Sequence, residues 1–152
     1  ERLETKLNIS NGILIHGGGW KQMELQSVSN EEYKKRLFNI VNIKRVHNYY
    51  GMVEQTGSIF MECECGFLHA SSYSDIIIRN HANYHSKEIG ERGLIQLLSV
   101  IPKSYPGHSL LSEDIGKIHG VDDCKCGRKG KYFKVYGRME NAETRGCSDT
   151  YT

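Results

Sequence analysis

The sequence predicts a mixed α/β fold, in which a βαβ-type piece of a mostly parallel sheet precedes a small β-barrel-like region. Residues 12–50 contain a short apolar strand, a glycine-rich loop, a helical pattern and a second strand, which is the order of a βαβ unit. From residue 58 onward, short apolar runs are divided by Gly, Asn and Pro, as in small barrels and sandwiches. We therefore divide the chain into three segments, residues 1–57, 58–137 and 138–152.

The first segment contains two predicted strands with a helix between them. Residues 12–16 form an apolar strand, and the helix is predicted to begin at Ser29, with Glu32 completing a capping box. Apolar residues then recur at helical spacing over residues 33–41, and a second strand covers residues 45–50. In the second segment, the best strand candidates share runs of β-branched or aromatic residues, namely 76–78, 93–101 and 132–136.

The charge and hydrophobicity of the chain argue against two classes of partner, nucleic acids and membranes. The chain has 152 residues, enough for one ordinary domain, and a formal charge of +2 without any basic block. Nucleic-acid and membrane-surface binding therefore have no electrostatic support. No apolar run is long enough to span a bilayer, so we expect no membrane insertion. From the charge, we expect no nucleic-acid partner.

A glycine triplet, Gly17-Gly18-Gly19, directly follows the first predicted strand. Glycine has no Cβ, so the backbone can approach a flat or anionic ligand closely. Ligands of α/β folds bind at the carboxyl ends of strands, which is where this loop lies. By itself a glycine-rich loop is more often only a turn, and its spacing matches neither a Walker loop nor a dinucleotide fingerprint.

The second predicted strand ends in an aromatic residue, a glycine and a carboxylate: Tyr50, Gly51 and Glu54. Tyr50 is a candidate for stacking on a base, and Glu54 for binding Mg²⁺, a hard cation that prefers carboxylate oxygen. The alternative is an ordinary capped turn with a solvated glutamate.

The five cysteines occur as Cys63-x-Cys65, Cys124-x-Cys126 and the single Cys147. An odd count without a secretory signal favours metal or thiol chemistry in a reducing compartment, so we expect a cytoplasmic protein. The two Cys-x-Cys-Gly units and His69 offer five ligands, whereas Zn²⁺ takes four. Free buried thiols remain the alternative.

Taken in order, these motifs resemble the adenylate-forming superfamily of acyl-CoA ligases, luciferases and adenylation domains. The shared features are the glycine triplet, Tyr50-Gly51-x-x-Glu54, Asp114, and Gly137-Arg138. Within the superfamily, the motif sequences are most similar to those of acyl-protein synthetases (long-chain-fatty-acid–luciferin-component ligases). Phenylacetate-CoA ligases are the next most similar branch. The segments that carry this likeness are 16–21, 50–57, 126–133 and 145–149.

The resemblance implies the C-terminal part of the large domain of such an enzyme, with ATP/AMP and Mg²⁺ as cofactors. Gly17 to Gly19, Tyr50 and Gly51 would line the adenine site, and Glu54 would bind Mg²⁺. Asp114 would bind the ribose hydroxyls, and Arg138 would lie beside ribose or phosphate. By likeness to the phenylacetate branch, the zinc ligands would be Cys63, His69, Cys124 and Cys126, with Cys65 spare.

Cys147 is implied to be the acyl acceptor, which would take a fatty acid from its adenylate and pass it to an acyl reductase. A thiolate is the required nucleophile, and Arg145 two residues away would lower its pKa. Two alternatives remain: transfer of the acyl group to CoA, as in phenylacetate-type ligases, or a zinc-bearing β module without catalysis.

The sequence also departs from the superfamily pattern. Val53 stands where the superfamily has Thr, and Glu140 where the hinge has Asp. The Ser/Thr/Gly-rich phosphate loop does not occur in these residues, and the chain starts at Glu1. We therefore expect a missing N-terminal half and little ligase activity from this chain alone.

Overall fold

The computed structural model describes residues 7–19, 26–55 and 57–139. Expectations for Glu140, Arg145 and Cys147 lie outside the described residues. The chain divides into two compact units, with the boundary between Asn48 and Tyr49. Among the described residues, no helix has the length and apolar character needed to cross a membrane.

The first unit contains a strand, a helix and the start of a second strand: β1 (Ile13–Gly17), α1 (Asn30–Val41) and β2 (Arg45–Tyr50). Ser29 is the N-cap, and its hydroxyl accepts a hydrogen bond from the Glu32 amide at 3.1 Å. The Glu32 carboxylate forms an ion pair with Arg36 one turn later. The helix ends at Asn42, which adopts the left-handed conformation. The strand–helix–strand order predicted from the sequence is therefore present.

The second unit continues β2 and adds six strands: β3 (Phe60–Glu62), β4 (Leu68–His69), β5 (Ser74–Arg79), β6 (Arg92–Ser99), β7 (Ser109–Val121) and β8 (Lys131–Arg138). The hydrogen-bonding order is β1-β2-β3-β4-β8-β7-β6-β5, and every pair from β2 to β5 is antiparallel. The mixed α/β class is confirmed. The sheet is open, so the barrel-like character of the second region does not extend to closure.

The main core lies in the second unit and is built from strand residues that share one face. Phe60 and Phe133 are fully buried, and their rings meet edge to face with centroids 5.3 Å apart. The remaining buried members are aliphatic: Leu68, Ile76, Ile78, Ile95, Leu97 and Ile118. A smaller cluster contains Cys63, Cys124 and Tyr132, with Phe67 and Cys126 packed against it. The two clusters fix β8 between β4 and β7.

Two glycines allow the long strand β7 to pack against its neighbours. A Cβ at Gly116 would lie 2.5 Å from Cγ1 of the buried Ile95, and one at Gly120 would lie 2.6 Å from the Tyr132 hydroxyl. Real Cβ atoms do not approach other atoms so closely. Glycine at these positions therefore lets large side chains of β6 and β8 cross the strand.

Replacing Gly116 with valine is expected to lower the free energy of unfolding by about 1–3 kcal/mol, because overpacking a filled core forces side chains out of their rotamers. Urea unfolding followed by circular dichroism measures this loss. Gly19→Ala is the control, since a Cβ at that position meets no described atom within 4 Å. Equal midpoints for Gly116→Val and the control would contradict the packing argument.

Candidate functional site

Three residues from separate motifs meet where β2 and β8 end beside the middle of β7. Tyr50 is the last residue of β2, Arg138 is the last residue of β8, and Asp114 lies within β7. The Tyr50 hydroxyl donates a 2.6 Å hydrogen bond to Asp114 Oδ2, and Arg138 Nε lies 3.8 Å from Asp114 Oδ1. One carboxylate is thus held between a phenol and a guanidinium.

The backbone of β7 and β8 explains this meeting. Asp114 and Arg138 are direct partners in the antiparallel ladder, and the register shifts between Asp114 and Gly116. Such irregularities re-aim side chains and are common beside binding sites. The Asp114 amide donates to the hydroxyl of the buried Ser112 at 3.2 Å. The backbone at Asp114 is therefore held by a hydrogen bond that does not involve its carboxylate.

Arg138 also forms an ion pair with Glu113, the residue before Asp114. The guanidinium therefore lies against two neighbouring carboxylates, of which Asp114 is the less exposed. A planar guanidinium offers several fixed donors, so it can hold both carboxylates and still face a ligand.

Tyr50 is held by the core as well as by Asp114. Its ring centroid lies 6.2 Å from that of Phe60 and 6.2 Å from that of Phe133. Burial, and then the nearby Asp114 carboxylate, raise the pKa of the Tyr50 phenol far above its usual value. The phenol is therefore a permanent donor that orients Asp114. A carboxylate offers about four acceptor positions, so Asp114 keeps capacity for further donors such as hydroxyl groups.

Glu54 lies on a rigid turn directly after β2. The turn is a short 3₁₀ helix, Val53–Gln55, in which the Glu54 side chain is exposed and Gln55 is buried. Gln55 Nε2 donates to the Gly107 carbonyl at 2.7 Å, and the Tyr105 hydroxyl donates to the Glu54 carbonyl at 2.6 Å. The backbone under Glu54 is thus fixed while its carboxylate remains accessible.

Sequence reasoning missed Gln55, Tyr105 and Glu113. Gln55 stands inside the motif that was singled out, but its partners are the carbonyls of Leu97 and Gly107, more than forty residues later in the chain. No local pattern signals such a contact. Glu113 adjoins the predicted Asp114, and only the strand register shows that Arg138 reaches it.

The glycine loop belongs to the first unit. Gly17 is the last residue of β1, and Gly18 and Gly19 are exposed. A Cβ at Gly18 or Gly19 would meet no described atom within 4 Å, so the space beside this backbone is open. The assignment of Gly17, Gly18, Gly19, Tyr50 and Gly51 to an adenine site stays a prediction.

A second constellation lies at the turns beside β3, β4 and β8. The ligand atoms of Cys63, His69, Cys124 and Cys126 all lie within 4.8 Å of one another. Cys65 is exposed and is not part of this group. Burial, and then the charge of Arg128, lower the pKa of His69 and favour its neutral imidazole. Of the predicted site residues, Cys147 lies outside the described residues, as does Arg145, which was predicted to assist it.

The fold is similar to parts of two CoA ligases and of a luciferase-like enzyme. An open form of 2-hydroxyisobutyryl-CoA ligase, in complex with 2-HIB-AMP and CoA, matches 85% of this chain and 28% of its own, with a TM-score of 0.67 and 19% identity. A long-chain-fatty-acid-CoA ligase from Archaeoglobus fulgidus matches 90% of this chain and 30% of its own, with a TM-score of 0.57 and 14% identity. A luciferase-like enzyme from the nonluminescent mealworm Zophobas morio matches 84% and 32%, with a TM-score of 0.52 and 20% identity.

At these identities the likeness shows the fold alone, and the chain spans about a third or less of each of these enzymes. No protein of curated function matches the sequence. A family model does: the one described as acyl-protein synthetase, LuxE, matches residues 7–152.

Proposed function

The chain belongs to the acyl-protein synthetase family, LuxE, and from this premise we propose that the complete gene product is an ATP-dependent, acyl-activating ligase. Its substrate is a fatty acid, and its acceptor is a protein thiol. The observation that carries this proposal is the contact of Asp114 with both Tyr50 and Arg138. Such an enzyme would work in the cytoplasm, where ATP and reduced thiols are both available.

The three residues suit the sugar of a nucleotide. Ribose presents two neighbouring hydroxyl donors, and Asp114 offers acceptor positions beyond the one used by Tyr50. Tyr50 acts as a positioning residue, because its partly buried phenol holds the Asp114 carboxylate by a hydrogen bond. Arg138 provides positive charge beside the same carboxylate, where ribose and α-phosphate would lie.

Glu54 fits a magnesium ion shared with the nucleotide. Mg²⁺ is commonly bound by one or two protein carboxylates together with substrate phosphates, and Glu54 offers one exposed carboxylate on a fixed turn. A bound Mg²⁺ would neutralise phosphate charge in the reaction.

The proposed reaction has two steps. In the first, a carboxylate oxygen of the fatty acid forms a bond to the α-phosphorus of ATP, and pyrophosphate leaves. In the second, the Cys147 thiolate attacks the acyl carbon, a thioester forms, and AMP leaves with the bonding electrons. Transfer from that thioester to an acyl reductase is the proposed fate of the product.

A second acceptor has support from the structural relatives. Two of the enzymes with a similar fold are CoA ligases, and one of them was solved with CoA. The alternative function is therefore an acyl- or aryl-CoA synthetase of the phenylacetate type, which uses the same first step. A non-catalytic role for the chain is the third outcome.

Acid-dependent exchange of labelled pyrophosphate into ATP tests the first step. We expect the complete gene product to show exchange with long-chain fatty acids, and we expect this 152-residue chain alone to show little. CoA thioester formation is measured in parallel, by mass spectrometry. Exchange together with CoA thioester would favour the alternative acceptor. Absence of exchange with any acid would overturn the ligase proposal.

A further inference from the structure

We propose that Cys63, His69, Cys124 and Cys126 form a closed zinc site that ties together two distant turns of the sheet. The proposal goes beyond the ligase reaction and does not depend on it. Its basis is the convergence of three thiols and one imidazole from two separate segments of the chain.

The distances between the ligand atoms agree with one tetrahedral ion. Zn–S bonds of about 2.3 Å and Zn–N bonds of about 2.0–2.1 Å place ligand atoms roughly 3.5–3.8 Å apart at tetrahedral angles. Cys63 Sγ and Cys124 Sγ are 4.0 Å apart, and Cys126 Sγ is 3.4 Å from His69 Nε2. Since all four atoms lie within 4.8 Å, an ion at the centre needs only small side-chain movements.

The local backbone prepares both turns in the same way. The Gly66 amide donates to the Cys63 carbonyl and the Gly127 amide donates to the Cys124 carbonyl, each at 2.9 Å. Both glycines have positive φ, +75° and +81°, a backbone conformation that residues with a Cβ rarely adopt. Each Cys-x-Cys-Gly segment therefore forms a tight turn that presents its first sulfur inward.

The two turns differ in their second ligand, and this difference defines the site. In the later turn Cys126 also points to the group, whereas in the earlier turn Cys65 is exposed and His69 of β4 takes the fourth place. Cys63, His69 and Cys124 are buried, and the ring of Tyr132 stacks near His69 with centroids 5.8 Å apart. Four protein ligands in a buried setting leave no open coordination position, so the ion would be structural.

A disulfide does not account for the group. Sulfurs in a disulfide lie about 2.05 Å apart, whereas the Cys63 and Cys124 sulfurs are 4.0 Å apart. Oxidation of this pair would also leave Cys126 and His69 unexplained. A zinc ion uses all four residues and links the end of β3 to the β7–β8 connection. On the earlier side it would reinforce β3 and β4, which have three and two residues.

Metal analysis of the complete gene product tests the proposal, and Cys65→Ser is the matched control. We expect about one zinc per chain in the wild type and in Cys65→Ser. Cys126→Ser and Cys63→Ser should bind zinc at least about tenfold more weakly, because each removes one of four ligands. Affinity is measured by competition with a chromogenic chelator.

Cobalt substitution keeps the test decisive if a ligand variant fails to fold. Wild-type protein stripped by a chelator and titrated with Co²⁺ should show the visible bands of tetrahedral cobalt and thiolate charge-transfer absorption in the near ultraviolet. Folded wild-type protein that binds neither metal would overturn the proposal, as would a Cys65→Ser variant that loses zinc as completely as Cys126→Ser. A disulfide detected by mass mapping between Cys63 and Cys124 would overturn it as well.

Discussion

Replacing Asp114 with asparagine is expected to slow ATP-dependent activation of the acid by about 10- to 100-fold in the complete gene product. A hydrogen bond to a charged group contributes roughly 1.5–3 kcal/mol. This carboxylate accepts one from Tyr50, lies 3.8 Å from Arg138 and would accept further hydrogen bonds from a ribose. Asparagine keeps the size of the side chain but has one acceptor oxygen. That oxygen cannot serve the Tyr50 phenol, Arg138 and a ribose together, and the new amide donors would face existing donors.

The exchange of labelled pyrophosphate into ATP measures this effect, and the ATP concentration dependence separates KM from kcat. Asp75→Asn is the matched control, because Asp75 is another half-exposed aspartate of the same sheet and pairs with Lys131 at 2.8 Å. Tyr50→Phe should show a smaller loss than Asp114→Asn, since the phenol acts through Asp114. Equal rates for Asp114→Asn and Asp75→Asn would remove Asp114 from the nucleotide site.

The sequence predicted the first part of the fold well, because that part consists of local patterns. β2 has the predicted bounds, and the N-cap of α1 is the predicted Ser29. The longest strand, β7, was missed because Gly116 and Gly120 interrupt its apolar pattern. Both glycines are needed because a Cβ there would clash with Ile95 or Tyr132 on the neighbouring strands. Only the tertiary structure brings these side chains near. The two- and three-residue strands β4 and β3 are too short to give any periodicity.

The candidate site shows the same division between local and distant information. Tyr50 and Asp114 are 64 positions apart. They were assigned to one nucleotide site only because their motifs occur in the same order as in the superfamily. The contact with Arg138 depends on the β7–β8 register and its irregularity, which no sequence pattern reveals. The two Cys-x-Cys-Gly units are equivalent as sequences, so spacing could not separate Cys65 from Cys126. The fold separates them, because one is exposed and the other lies against His69.

Replacing Cys147 with serine is expected to abolish covalent labelling of the complete gene product by radiolabelled fatty acid and ATP. The acyl adenylate needs an ionised nucleophile to displace AMP, and a serine hydroxyl is hardly ionised at neutral pH, whereas a cysteine beside a cation is. Arg145 supplies that cation in the sequence. The first step does not use the thiol, so pyrophosphate exchange should continue in the variant.

The separation of the two steps makes this experiment specific to Cys147. Cys65→Ser removes an exposed thiol and should keep both exchange and labelling, which controls for unspecific acylation of surface cysteines. Persistent labelling of Cys147→Ser would assign the thioester to another residue. An unlabelled wild type that releases CoA thioester would instead make CoA the acceptor, and Cys147 would then have no part in the reaction. Loss of labelling with retained exchange is the one outcome that requires both an adenylating site and a separate acceptor thiol, because damage to the nucleotide site would reduce the two together.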